Sequence, residues 1–154
     1  MTNIYDIIKE IKSFLRENPV VNTVTFGDIT QVDLNKTTIF PLSHFLLGNT
    51  TITENTIQIT LSMLFLDVVD YSKDFNDNDF GDRQDDSNLI DVYNTQLQIA
   101  NELISHLKRG DLFRDKFQLV GNPICEPFKD RFESELAGWG LDLVIEVPNN
   151  ISVC

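Results

Sequence analysis

Two histidines, His44 and His106, and two cysteines, Cys125 and Cys154, are the side chains of this sequence best suited to nucleophilic or general-base chemistry. A nucleophilic centre needs a histidine within reach of a serine or cysteine, and a third group that holds the ring. His44 follows Ser43 in an extended stretch. Adjacent strand residues face opposite sides of a sheet, so these two cannot meet. His106 lies at Ser105-His106-Leu107, beside the apolar stripe of a helix. Both histidines read as ordinary surface or part-buried residues. No pairing of histidine with cysteine has zinc-ligand spacing. Neither a P-loop nor a dinucleotide-binding glycine pattern occurs. The start, Met1-Thr2-Asn3-Ile4-Tyr5-Asp6, has no basic segment and reads as no signal peptide. Both thiols are therefore expected to be free, in a reducing compartment. The residues point to a protein with no catalytic centre and no cofactor.

Carboxylates are the other chemistry-bearing group. Residues 67–86 hold eight aspartates and no glutamate against Lys73 and Arg83, a net charge of -6 over 20 residues. An EF-hand loop starting at Asp74 would place Asn76 and Asn78 well. However, it puts Asp79 where glycine is required and Asp85 where glutamate is required, and Gly81 is misplaced. No metal site is expected. The segment reads as a long acidic loop at about residues 69–86, interrupted by Tyr71, Phe75 and Phe80. Spaced aromatics among aspartates suit docking on another chain, and the alternative is a solvated loop. The whole chain carries 24 acidic and 12 basic residues, a net charge of -12 and a pI near 4.3. Such a chain does not bind nucleic acid by neutralising phosphates. Asn35-Lys36-Thr37 and Asn49-Thr50-Thr51 match the glycosylation pattern, which means nothing without export. No apolar run approaches the ~20 residues of a membrane span.

These residues must be positioned by a single domain over residues 1–154, with a short tail at 149–154. Ile4, Ile7, Ile8, Ile11, Phe14 and Leu15 form the stripe of a first helix, stopped by Asn18-Pro19. A helix this apolar could also pack on a neighbouring subunit. Residues 20–26 form a strand ending at Gly27-Asp28. Residues 37–47 are extended, with Pro41 indicating an edge or a bulge and Gly48-Asn49 turning the chain. The clearest strand runs over residues 56–67, with Ile57, Ile59, Leu61, Met63 and Phe65 on one face and Gln58, Thr60 and Ser62 on the other. From Leu64 to Val69 both faces are apolar, so that end is covered on both sides. A second helix spans about residues 88–109, with Leu89, Val92, Tyr93, Leu97, Ala100, Leu103, Ile104 and Leu107 as its stripe and Gly110 as its stop. Short strands follow at residues 116–120 and 123–128. A last one alternates from Trp139 to Val147 and ends at Pro148. The class is α+β, with a mostly antiparallel sheet and both helices packed on it.

Two stretches carry a resemblance. Residues 26–44 read Phe-Gly-Asp-Ile-Thr-Gln-Val-Asp-Leu-Asn-Lys-Thr-Thr-Ile-Phe-Pro-Leu-Ser-His. Residues 127–143 read Pro-Phe-Lys-Asp-Arg-Phe-Glu-Ser-Glu-Leu-Ala-Gly-Trp-Gly-Leu-Asp-Leu. With the flanking helices they resemble the tail terminator and head–tail joining proteins of tailed bacteriophages, over most of the chain. The acidic loop and the C-terminal tail lie outside the shared pattern. The resemblance implies a non-enzymatic virion protein, assembled in the host cytoplasm as a ring of six or twelve copies at the neck or tail. Its neighbours would be portal, connector or tail proteins, and genome DNA would pass through without specific binding. It also implies a strand entered through the Gly138-Trp139 pair. A closing ring needs unlike surfaces that meet head to tail. Residues 108–131 hold six of the 12 basic residues and complement the acidic loop. The expected contacts are therefore Asp70, Tyr71, Asp74, Phe75, Asp77, Asp79 and Phe80 on one side and Lys108, Arg109, Arg114 and Lys116 on the other. A different reading is a soluble adaptor that binds a partner chain through a sheet edge or the acidic loop.

Overall fold

The computed structural model describes residues 4–32, 39–69, 89–109, 117–129 and 135–149. Helix α1, Ile4–Glu17, buries Ile7, Ile11 and Leu15, which lie one above another at four-residue steps. Asp6 in the first turn and Arg16 in the last complement the helix dipole. Asn18 closes the helix. Its N–H donates to the Leu15 carbonyl at 3.2 Å, and its side-chain oxygen accepts from the Val20 N–H at 3.0 Å.

Strand β1, Thr23–Phe26, runs parallel to β2, Leu42–Ile52, with Thr23 opposite Leu42. The sheet is mostly antiparallel, as expected: this pair is parallel and every other described pairing is antiparallel. Gly27, at φ 109°, ends β1 in a conformation that side chains avoid. Asp28 then caps a single 3-10 turn, Ile29–Gln31, by accepting from the Thr30 N–H at 2.9 Å. The described ends of this crossover, Val32, Ile39 and Phe40, pack on Leu42, Leu66 and Leu136. They form a small second core on the sheet face opposite the helices.

Two sequence expectations shift here. β2 begins after Pro41 instead of running through it. Pro41, joined to Phe40 by a cis peptide, sits just ahead of the ladder, where a missing N–H costs no bond. Its carbonyl accepts from Asn22 and Thr23. Gly48-Asn49 does not turn the chain. It forms an irregularity inside β2, where the register slips between Leu47 and Thr50. The turn comes later, at residues 53–55, tied by Thr53 to Thr56.

β3, Thr56–Val68, pairs with β2 on one side and along its whole length with β6, Leu136–Pro148, on the other. Strands β5, Cys125–Lys129, and β4, Gln118–Val120, lie end to end on the outer edge of β6. β6 starts three residues before Trp139, so Gly138-Trp139 stand within the ladder rather than leading into it. Gly138 is needed for close approach. A β-carbon there would fall on the Phe65 carbonyl oxygen and within 3 Å of the Phe65 carbonyl carbon and Leu66 Cα. Trp139 is part-buried, and its indole N–H donates to the Tyr93 carbonyl at 2.8 Å.

Helix α2, Leu89–Arg109, lies over β3, β6 and β4. Its inward line is Val92, Gln96, Ile99, Ala100, Leu103 and Leu107. Leu97, assigned to the stripe from the sequence, is 39% exposed, while Gln96 is fully buried. The main core joins both helices to the odd-numbered face of β3. Leu64, Leu66 and Val68 on the even-numbered side pack into the second core. That covers both faces at this end of the strand, as the sequence indicates. The fold is α+β.

Candidate functional site

Among the described residues, the second core covers one end of the face opposite the helices. Beyond Leu64 the even positions of β3 are Ser62, Thr60 and Gln58, and their β6 partners are Asp142, Val144 and Glu146. This half of the face forms an open groove of about 810 Å³. Leu46, Leu64, Gly140 and Val144 contribute its apolar floor. Ile29 stands on one side; on the other the chain from β4 to β5 brings up Val120, Ile124 and Glu126. Ile124 is 78% exposed, an apolar side chain left in water.

The rim is acidic. Ser62 donates to the Asp142 carboxylate at 2.6 Å, and Gln58 donates to Glu146 at 3.0 Å, so both acids are held by cross-strand bonds. Asp28 lies next to Ile29, and hydrogen bonds from the Thr30 N–H and hydroxyl hold its carboxyl below the usual carboxylate range. Glu126 and Asp142 line the groove, and no lysine or arginine does among the described residues. Lys108 reaches the groove-lining Asn122 at 2.9 Å from the end of α2.

His44 stands in the groove wall. It is 1% exposed, more buried than the sequence suggests, with Thr25 of β1 beside it in the sheet and Ile29 lining the same groove. Nδ1 pairs with the Thr25 hydroxyl at 2.7 Å, and Nε2 has no hydrogen-bond partner among the described residues. Burial pushes its pKa down, against the opposing pull of the Gly27 backbone and Asp28. Ser43 pairs with Phe65 on the helix side, so serine and histidine point to opposite faces as argued above. His106 stacks on Phe14 with ring centroids 4.3 Å apart and meets Glu10 at 3.5 Å, linking α2 to α1. Cys125 is a part-buried free thiol whose pKa is raised by burial. The described residues contain no group of three potential metal ligands. They contain no helix long and apolar enough to cross a membrane.

Of the contact residues named from the sequence, Asp70, Tyr71, Asp74, Phe75, Asp77, Asp79, Phe80, Arg114 and Lys116 lie outside the described residues. So do residues 150–154 and Cys154. Lys108 anchors the chain between β4 and β5, and Arg109 is the last residue of α2. Glu126, Asp142 and Ile124 were missed as site residues. The polar face of β3 was legible as an alternation. Which strands flank it depends on pairing across about 80 residues, which no local pattern encodes. Neither the models of known protein families nor the curated proteins give a match to this chain.

Proposed function

We propose that this chain is a structural virion protein of a tailed bacteriophage. It forms a ring of six or twelve copies at the head–tail junction or tail, as a terminator, neck or connector, and genome DNA passes through its bore. The resemblance carried by residues 26–44 and 127–143 supports the assignment. The structural observation that carries it is the groove, which the described residues leave open. Both helices lie on one face of the sheet, and the other face keeps an apolar floor and an exposed Ile124. An open apolar surface of this kind is a contact surface for another chain. It lies opposite the helical face and is unlike it in charge, as a closing head-to-tail contact requires. An excess of acid would also let DNA slide through without the counterion release that drives binding.

One observation favours the adaptor reading. β1 pairs with β2 only over Leu42–Phe45, so among the described residues β2 has no neighbour on that side from Leu46 to Ile52. Such an edge can accept a strand of a partner. Native mass and electron microscopy of the purified chain separate the two. Rings with cyclic symmetry support the virion reading. A monomer that binds a partner peptide and never forms a closed oligomer supports the adaptor.

A further inference from the structure

We infer that the acidic groove receives helix α1 of a second copy of this chain, an inference that rests on the ring reading above. The described basic residues outside the end of α2 and Lys129 are Lys9, Lys12 and Arg16, all on α1. Together with Tyr5 they fall at steps of four, three and four residues, so they form one stripe along the helix. Tyr5 is 84% exposed and Ile4 is 43% exposed, an apolar start to a cationic line. Lys9 and Arg16 are exposed, whereas Lys12 rests 5.5 Å over the Phe26 ring. The groove offers the reverse: an apolar floor at Leu46, Leu64 and Val144, and carboxylates at Glu126 and Asp142 with Glu146 beyond.

Size agrees with charge. The face spans β2, β3, β6 and the outer strands, four strands at ~4.8 Å, which gives roughly 14 Å across. A helix with its side chains is about 10 Å wide, so the groove admits one. α1 is 14 residues long, or roughly 21 Å, which suits the open half of the 13-residue strands below it. The chain cannot fill its own groove with α1, because Ile7, Ile11 and Leu15 hold that helix in the core on the opposite face. A second copy can. The contact joins two different surfaces of the subunit, so repeating it builds a ring or a filament.

Charge reversal tests the contact on the full chain. Lys9→Glu with Arg16→Glu gives one variant, and Glu126→Lys with Asp142→Lys gives the other. All four positions are exposed, so both variants should fold, as circular dichroism and melting will show. Each variant alone should associate at least about tenfold more weakly than the parent at low salt. An equimolar mixture should recover association, and so should one chain carrying all four changes. Recovery by the four-fold variant guards against loss through misfolding. Parent-like association of either variant, or failure of both rescues, overturns the α1 contact. Rings that form but ignore the swaps overturn the contact and leave the ring reading intact. A parent chain that stays monomeric at about 100 µM and low salt overturns both. A two-copy species that obeys the swaps keeps the contact and overturns the ring.

Discussion

A β-carbon on Gly138 has nowhere to go, because the atom it meets is backbone of the paired central strand β3. Overpacking against backbone cannot be relieved by a rotamer change. Gly138→Ala should therefore lower stability by at least about 2 kcal/mol, read from the urea midpoint. Gln96 is the opposite case. Its amide is fully buried, and among the described residues neither its nitrogen nor its oxygen has a hydrogen-bond partner. Gln96→Leu removes an unpaired polar group at nearly constant volume and should gain about 1–2 kcal/mol. Two titrating groups work in opposite directions. Burial lowers the His44 pKa, so the unfolded chain binds a proton that the folded one refuses. Stability should fall as pH drops below the ordinary imidazole value of about 6.5, and His44→Gln should flatten that slope. Asp67 has its pKa raised by burial, opposed only by a bond from the Val68 N–H. Its folded form binds the extra proton, so stability falls as pH rises from 3.8 through the raised value. Asp67→Asn should stabilise the protein at neutral pH and lose that advantage in acid, as denaturation curves at two pH values will show.

At the scale of elements, β2 has a poorly protected edge among the described residues. Its outer half carries Leu47, Gly48, Asn49, Thr50, Thr51 and Ile52, all exposed and none charged. Natural edge strands are usually blunted by a lysine, a proline or a bulge. Here the irregularity at Gly48-Asn49 twists the edge without charging it. Ile52 is 71% exposed, so Ile52→Lys should change folding stability by less than about 0.5 kcal/mol. Light scattering at high concentration should show less association than the parent. The helices are held differently. α1 meets α2 through the Phe14–His106 stack, through Glu10, and through Asn18, which donates to Glu102 at 2.8 Å. His106→Ala removes the stack and should cost about 1 kcal/mol without abolishing the fold.

For the whole molecule, the ends of the acidic segment are already tied together. Val69, at the end of β3, packs with Val92 of α2 and Ala137 of β6. Loop closure changes slowly with length, so deleting residues 75–81 should leave the melting midpoint nearly unchanged. Weaker ring formation by the deleted chain would support the docking role argued for Tyr71, Phe75 and Phe80. Unchanged assembly at physiological salt would reject it. Charge is also distributed by layer: the described basic residues cluster on the helices, while the groove side of the sheet is acidic. That division supports the proposed head-to-tail contact.

Periodicity alone determined the two helices, the long alternating strand and its doubly covered end, because burial on one face repeats with the local geometry of helix or strand. It also separated Ser43 from His44, since successive strand residues must face opposite ways. Local pattern could not decide the partners. The parallel β1–β2 pair, the placement of β4 and β5 on β6, and the fit of Gly138 against Phe65 join residues far apart in the chain. Leu97 read as part of the stripe, and Gln96 went unnamed, because helical spacing gives the width of a stripe and not its heading, which the packing of α2 across β3 and β6 sets. The groove belongs to the same class. Its floor, its acidic rim and the helix proposed to fill it come from separate parts of the sequence, and only the folded sheet gathers them on one face.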